Sequence, residues 1–111
     1  MSTKRMENYL GKEGILSSRL DGFEFRHQQV DMAAAVEETF EKAKHLIVEA
    51  GTGTGKSLAY LIPAILWAVE NNKKVVISTY TKTLQHQILN HDIPFLQDKL
   101  GIAFRYALCM G

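Results

Sequence analysis

The segment AGTGTGKS, Ala50 to Ser57, has the residue types and spacing needed to hold the phosphates of a nucleoside triphosphate. Ala50 stands where the phosphate-loop (Walker A) pattern usually has its first glycine, and Gly51, Thr52, Gly53, Thr54 and Gly55 fill the turn. Glycines let successive backbone N–H groups converge on an anion without Cβ clashes, and a helix opening behind them adds its positive N-terminus. Lys56 is placed to reach the β- and γ-phosphates and neutralise charge that builds there, which makes it the candidate catalytic residue. The Ser57 hydroxyl is the candidate ligand for the Mg²⁺ that bridges those phosphates. The alternative is a chance match in a glycine-rich turn, expected in about 1% of chains this long. A strand expected just before the loop and an apolar helix just after it match the setting that phosphate binding demands.

Hydrolysis needs more than this loop. A carboxylate at the end of a neighbouring apolar strand must hold the metal's water shell, and a second acid must orient the attacking water. After Ser57 the acids are Glu70, Asp92 and Asp98, and none follows an apolar strand. The chain therefore carries half of a hydrolytic site.

Two flanking segments carry further polar chemistry. GFEFRHQQ, Gly22 to Gln29, sets Arg26 three positions before Gln29, whose amide offers paired donor and acceptor atoms that match the adenine edge. On spacing alone, an exposed helix start anchored by Phe23 or Phe25 is the simpler reading. STYTKTLQHQ, Ser78 to Gln87, brings four Ser and Thr hydroxyls, Lys82 and two glutamines to a strand-to-helix junction, a mixture that grips phosphate backbones without reading sequence. Helix capping by Thr79 or Thr81 explains part of it equally well. His27, His45, His86 and His91 show no ligand arrangement.

These groups need elements to hold them. The apolar residues Met32, Val36, Phe40 and Ala43 recur at helical spacing opposite Glu37, Glu38 and Glu41, predicting an amphipathic helix from Gln28 to about Lys44. His45 to Ala50 reads as a short strand, and Lys56 to about Glu70 as an apolar helix kinked at Pro63 and ended by Asn71-Asn72. KKVVISTY, Lys73 to Tyr80, reads as an interior strand. A helix from Thr81 to about Asn90, a further helical stretch from Pro94 to Leu100 and a third strand over Ile102 to Leu108 complete the α/β alternation. The expected fold is a parallel sheet flanked by helices. Met1 to Gly22 shows no sustained period and three glycines, so it reads as a flexible or loosely packed leader with room for one short helix.

Composition sets the outer bounds. The 111 residues carry 13 basic and 12 acidic side chains, a net charge of +1, which argues against a globally basic nucleic-acid binder but not against a local basic groove. Cys109 is the single cysteine, so neither an internal disulfide nor an all-cysteine metal site can form within the chain. No secretory h-region follows Met1 to Met6, and the apolar run Leu58 to Val69 would span about 18 Å as a helix against the ~30 Å of a bilayer core. A cytoplasmic protein without membrane contact is expected.

Taken together, FRHQQVDMA, LIVEAGTGTGKSLAYLIPAI, VVISTYTKTLQHQIL and HDIPFLQDKLGI resemble, in order and spacing, the start of the DinG-type branch of superfamily 2 DNA helicases, relatives of XPD. The resemblance covers about residues 9 to 111. It implies that residues 23–111 are the N-terminal part of a RecA-like P-loop NTPase domain, the first domain of an ATP-dependent DNA helicase. It further implies that Arg26 and Gln29 recognise adenine, and that residues Gly51 to Ser57 hold ATP with Mg²⁺. Thr79, Thr81 and Gln85 would contact single-stranded DNA. The Asp-Glu-Ala-His-type box, the second RecA-like domain and its arginine finger have no counterpart in these residues. Iron-sulphur members continue from a glycine resembling Gly111, and Cys109 precedes that element and matches no cluster ligand. The 111-residue chain is accordingly expected to bind nucleotide weakly at best and to hydrolyse none. A vestigial nucleotide-binding domain and a small P-loop kinase are the alternatives, the latter disfavoured because only Arg105 follows the loop to build a lid.

Overall fold

The computed structural model describes residues 4–20, 22–46, 56–79 and 81–108. Helix α3, His27–Lys42, and helix α4, Lys56–Asn71, lie against each other at the centre. On α3 the buried positions are Gln29, Val30, Ala33 and Ala34, the two alanines leaving room for α4 to pack, while Met32, Val36 and Phe40 are half-buried beside them. On α4 every residue from Leu61 to Leu66 is buried, so this helix is the hub of the core rather than a surface helix with one apolar stripe. The Phe40 and Trp67 rings stack with centroids 5.1 Å apart and fix the contact of the two helices.

The helix ends follow local chemistry. Ala43 closes α3 in the left-handed conformation at φ 52°, with the Ala43 and Lys44 N–H groups donating to Phe40 and Thr39 carbonyls. Asn72 closes α4 at φ 51°, while the Asn71 amide donates to the Trp67 carbonyl at 2.9 Å. Pro63 is fully buried inside α4, and the helix runs through it as one element, forgoing the bond to the Ala59 carbonyl.

Residues 1–22 were expected to be a flexible or loosely packed leader with room for one short helix. Instead α1, Lys4–Leu10, and α2, Ile15–Arg19, form a packed helical pair, with Met6, Leu10 and Leu16 fully buried in the common core. The glycines that suggested flexibility serve close packing. A Cβ on Gly11 would lie 2.5 Å from the Glu7 carbonyl oxygen, and one on Gly14 would lie 2.8 Å from the same atom. The Arg19 guanidinium donates to the Lys99 carbonyl at 2.6 Å and ties α2 to the far end of the chain.

The expected parallel sheet is the main correction. Among the described residues there is no strand: 73–79 and 101–108 follow irregular paths, and Val76, expected inside a sheet, is 90% exposed. A β-branched run supplies only the side chains. Its N–H and C=O groups need a neighbouring strand, and no described segment provides one. The strand expected over His45 to Ala50 lies mostly outside the described residues. The final stretch is instead pinned by side chains, with the Gln97 amide donating to the Phe104 carbonyl at 2.9 Å and Ile102 and Phe104 resting on the core.

After Thr81, helix α5, Lys82–Gln87, passes through a π-helical turn, Ile88–Asp92, into α6, Ile93–Leu100. Two helical segments were expected here, and the chain makes one continuous helical path. Ile88, Asp92, Leu96 and Leu100, each four residues apart, are all buried.

A polar tie crosses the core's edge. Arg5 hydrogen-bonds Glu70, and its other guanidinium nitrogen lies 3.0 Å from a Glu37 oxygen without the alignment of a hydrogen bond, so α1 is joined to α3 and α4. Burial pushes the Glu37 carboxyl above its ordinary value of 4.5, and Arg5 offsets only part of that. A carboxyl with a raised folded-state pKa holds its proton longer in the folded chain, so stability falls as pH rises through the interval just above 4.5. Urea titrations across that interval are expected to show this decline in the unchanged protein and a flatter profile in Glu37→Gln, which keeps the side chain's shape and removes its charge.

Candidate functional site

Lys56 and Ser57 open α4, as the sequence predicted, with Lys56 exposed and Ser57 half-buried. The residues before them, Ala50, Gly51, Thr52, Gly53, Thr54 and Gly55, lie outside the described residues. The two that are described fit a metal-bound triphosphate: an ammonium on the exposed surface and, beside it, a hydroxyl at the first turn of a 16-residue helix.

Tyr60 stands one turn further along α4 from Ser57 and is half-buried. Burial pushes the Tyr60 pKa up, the neighbouring Ser57 hydroxyl opposes this, and the negative charge of Asp92 adds to it. Tyr60 in turn lines a cleft of about 430 Å³, together with Val36 and Phe40 of α3, Ala64 of α4, and Ser78 and Thr79 of the following segment. The helix that begins at the loop and the hydroxyl-rich segment therefore share one cleft, with Tyr60 between them.

The other predicted residues are placed as follows. Arg26 precedes α3, its backbone carbonyl accepting from the Gln29 N–H at 3.0 Å and its guanidinium held by Glu24 at 2.8 Å. Gln29 is 5% exposed and faces the core with Val30 and Ala33. That burial is tighter than an amide presented at an exposed helix start. Thr81 caps α5, accepting from the Leu84 N–H at 3.1 Å, while Thr79 donates to the Thr81 carbonyl at 3.2 Å. Capping thus explains Thr81, and leaves Lys82, Thr83 and His86 exposed along α5. Gln85 is half-buried.

Asp92 is the residue that sequence reasoning passed over. It was grouped with the acids that follow no apolar strand, yet its side chain is only 9% exposed. One oxygen lies 2.9 Å from the exposed His91 ring, and the other, Oδ2, is buried without a hydrogen bond. The four-residue spacing from Ile88 to Leu96 was the available signal, since it puts Asp92 on an otherwise apolar face. Among the described residues no cluster of His, Cys, Asp and Glu could hold a metal ion unaided, and no helix is long and apolar enough to cross a membrane.

Comparison with known proteins finds relatives along most of the chain. The sequence is 48% identical over 101 residues to the ATP-dependent helicase DinG of Mycobacterium tuberculosis, covering 87% of this chain and 15% of that protein. It is 42% identical to the ATP-dependent DNA helicase YoaA of Escherichia coli, covering 96% of this chain and 16% of the relative. It is also 41% identical to the 3'-5' exonuclease DinG of Bacillus subtilis, covering 91% and 11%. The chain thus spans about 15% of the length of the first of these relatives. No solved structure gives a match. The family model for DEAD/DEAH box helicases matches residues 27–109, from the start of α3 to the far end of the chain, and by that match the chain belongs to the DEAD/DEAH box helicase family.

Proposed function

We propose that residues 23–111 are the N-terminal part of a RecA-like domain that binds ATP with Mg²⁺, and that the longer protein couples ATP hydrolysis to movement on single-stranded DNA. The observation that carries this reading is the placement of Lys56 and Ser57 at the opening of α4, within the stretch of residues 27–109 that the helicase family matches. Lys56 neutralises the β- and γ-phosphates, Ser57 holds the metal, and Gly51 to Gly55 supply backbone donors. Arg26 and Gln29 select adenine, and Thr79, Thr81, Gln85 and the exposed cation of Lys82 hold the DNA backbone. The relatives' names supply the helicase activity, and the hydroxyl-rich start of α5 supports nucleic acid as the partner.

Ser57 would hold the magnesium ion that accompanies ATP, and the ion would shield the charge of the phosphates. The chain's own contribution is binding and orientation. No strand-borne acid follows the loop, so the 111-residue chain is expected to show saturable ATP binding and no turnover, with or without a single-stranded oligonucleotide. Phosphate release measured on this chain, present in the unchanged protein and lost in Lys56→Ala, would show that the missing-acid argument is wrong.

A further inference from the structure

The cleft beside α4 has a lining that phosphate binding does not use. Its volume of about 430 Å³ falls within the ~300–1,000 Å³ of small-molecule sites, and two aromatic side chains, Phe40 of α3 and Tyr60 of α4, stand on its walls. No described carboxylate lines it. Much of the rest of the lining is the run Val75 to Thr79, which has no strand partner among the described residues and leaves Val76 90% exposed. Cations bracket that run. Lys73 and Lys74 come just before it and Lys82 three residues after it; all three are exposed, and none belongs to an ion pair among the described residues. The Ser78 hydroxyl, exposed between them, has no hydrogen bond among the described residues. This charge selects the occupant. A second copy of the chain would bring two sets of lysines to one interface with no carboxylate of the cleft to meet them, and an apolar peptide would leave them unused. A polyanion with flat, apolar rings uses both features, and sites for single-stranded nucleic acid combine cations along the backbone with aromatic side chains on which bases stack.

We propose that the cleft takes one unstacked base of a single-stranded DNA, stacked against Tyr60 and bounded by Phe40, while Lys73, Lys74, Lys82 and Ser78 hold the phosphates on either side. The inference rests on the DNA reading given above and extends it from backbone contact to a base subsite. Every base has a flat π-face, so the cleft adds affinity without reading sequence. It also sets the strand against α4, the helix that Lys56 and Ser57 open, so one helix carries both the base subsite and the nucleotide site.

The test compares two end-labelled ligands of equal length and charge, a short oligothymidylate and an abasic deoxyribose-phosphate oligomer, in anisotropy titrations of the 111-residue protein at low salt. The oligothymidylate is expected to bind about 5- to 150-fold tighter, the effect of stacking one base. Trp67, the one tryptophan, stacks on Phe40 at 5.1 Å, so its fluorescence should change with the oligothymidylate and not with the abasic oligomer. Tyr60→Leu, checked for an unchanged thermal midpoint, should lose the preference and keep the affinity for the abasic oligomer, while Tyr60→Phe, which keeps the ring, should retain both. Changing Lys73, Lys74 and Lys82 together to glutamine should weaken both ligands alike and flatten the salt dependence. Equal affinity of the unchanged protein for the two oligomers overturns the base subsite and leaves the backbone reading standing, and this comparison needs no variant to fold. A preference retained in folded Tyr60→Leu overturns it as well. A dimer in sedimentation that Tyr60→Leu dissociates gives the cleft to a second copy and overturns it too. Absence of binding of either oligomer overturns the DNA reading itself, and the subsite with it.

Discussion

Replacing Leu10 by alanine is expected to lower stability by about 2–5 kcal/mol, enough to take a large share of the ~5–15 kcal/mol that holds a small domain folded. Leu10 is fully buried and belongs to one apolar cluster with Met6, Leu16, Ala33, Leu61, Ile62 and Leu96, drawn from five helices. Removing its branched end deletes transfer energy and opens a void that neighbouring helices can only partly fill. With a urea slope of ~1–3 kcal/mol/M, the midpoint should move by roughly 1 M or more. Asn8, exposed on the same helix, is the control, and Asn8→Ala should change stability by no more than about 0.5 kcal/mol. If the two variants unfold at the same urea concentration, α1 is not part of the core.

The second large effect falls on ligand binding. Lys56→Ala is expected to weaken ATP binding by about 10- to 150-fold, because a charge-assisted hydrogen bond contributes ~1.5–3 kcal/mol and each 1.4 kcal/mol is a factor of ten. Lys56 is exposed, so its removal leaves the core intact and the loss can be read as a loss of contact. The ammonium is assigned to the β- and γ-phosphates, which gives the test its discrimination: affinity for AMP, which lacks both, should be unchanged. Equal ATP affinity in Lys56→Ala and the unchanged protein, measured by calorimetry, would remove Lys56 from the site.

Much of the site was legible because its chemistry is written in adjacent residues. Lys56 and Ser57 were placed at a helix start from the run AGTGTGKS and the apolar stretch behind it, and that is where α4 begins. The two long helices were equally legible, since 16 residues hold enough turns for a periodic pattern to emerge. The short helices were not. Met6 and Leu10 are one turn apart in α1, a spacing too brief to stand out, and Gly11 and Gly14 read as loop because a sequence does not say whether a glycine is there for freedom or for contact.

The strands failed for a different reason. Val75, Val76 and Ile77 have the residue types of a buried strand, but strand formation is a property of two segments, and the sequence describes one at a time. A RecA-like fold follows from the family, and the chain spans about 15% of the M. tuberculosis relative, while a sheet among the described residues does not form.

The sequence by itself determined the family and the two central helices, and carries the proposal of phosphate binding, because each depends on residues close together in the chain. The tertiary structure decided what those residues meet. It buried Gln29, which was expected at an exposed helix mouth, drew residues 4–20 into the core and used the Thr81 hydroxyl as a cap. It also buried Asp92 in the π-helical turn that packs against α4. Burial and partnership are set by packing between distant segments, and a single linear pattern holds no record of which segments those are.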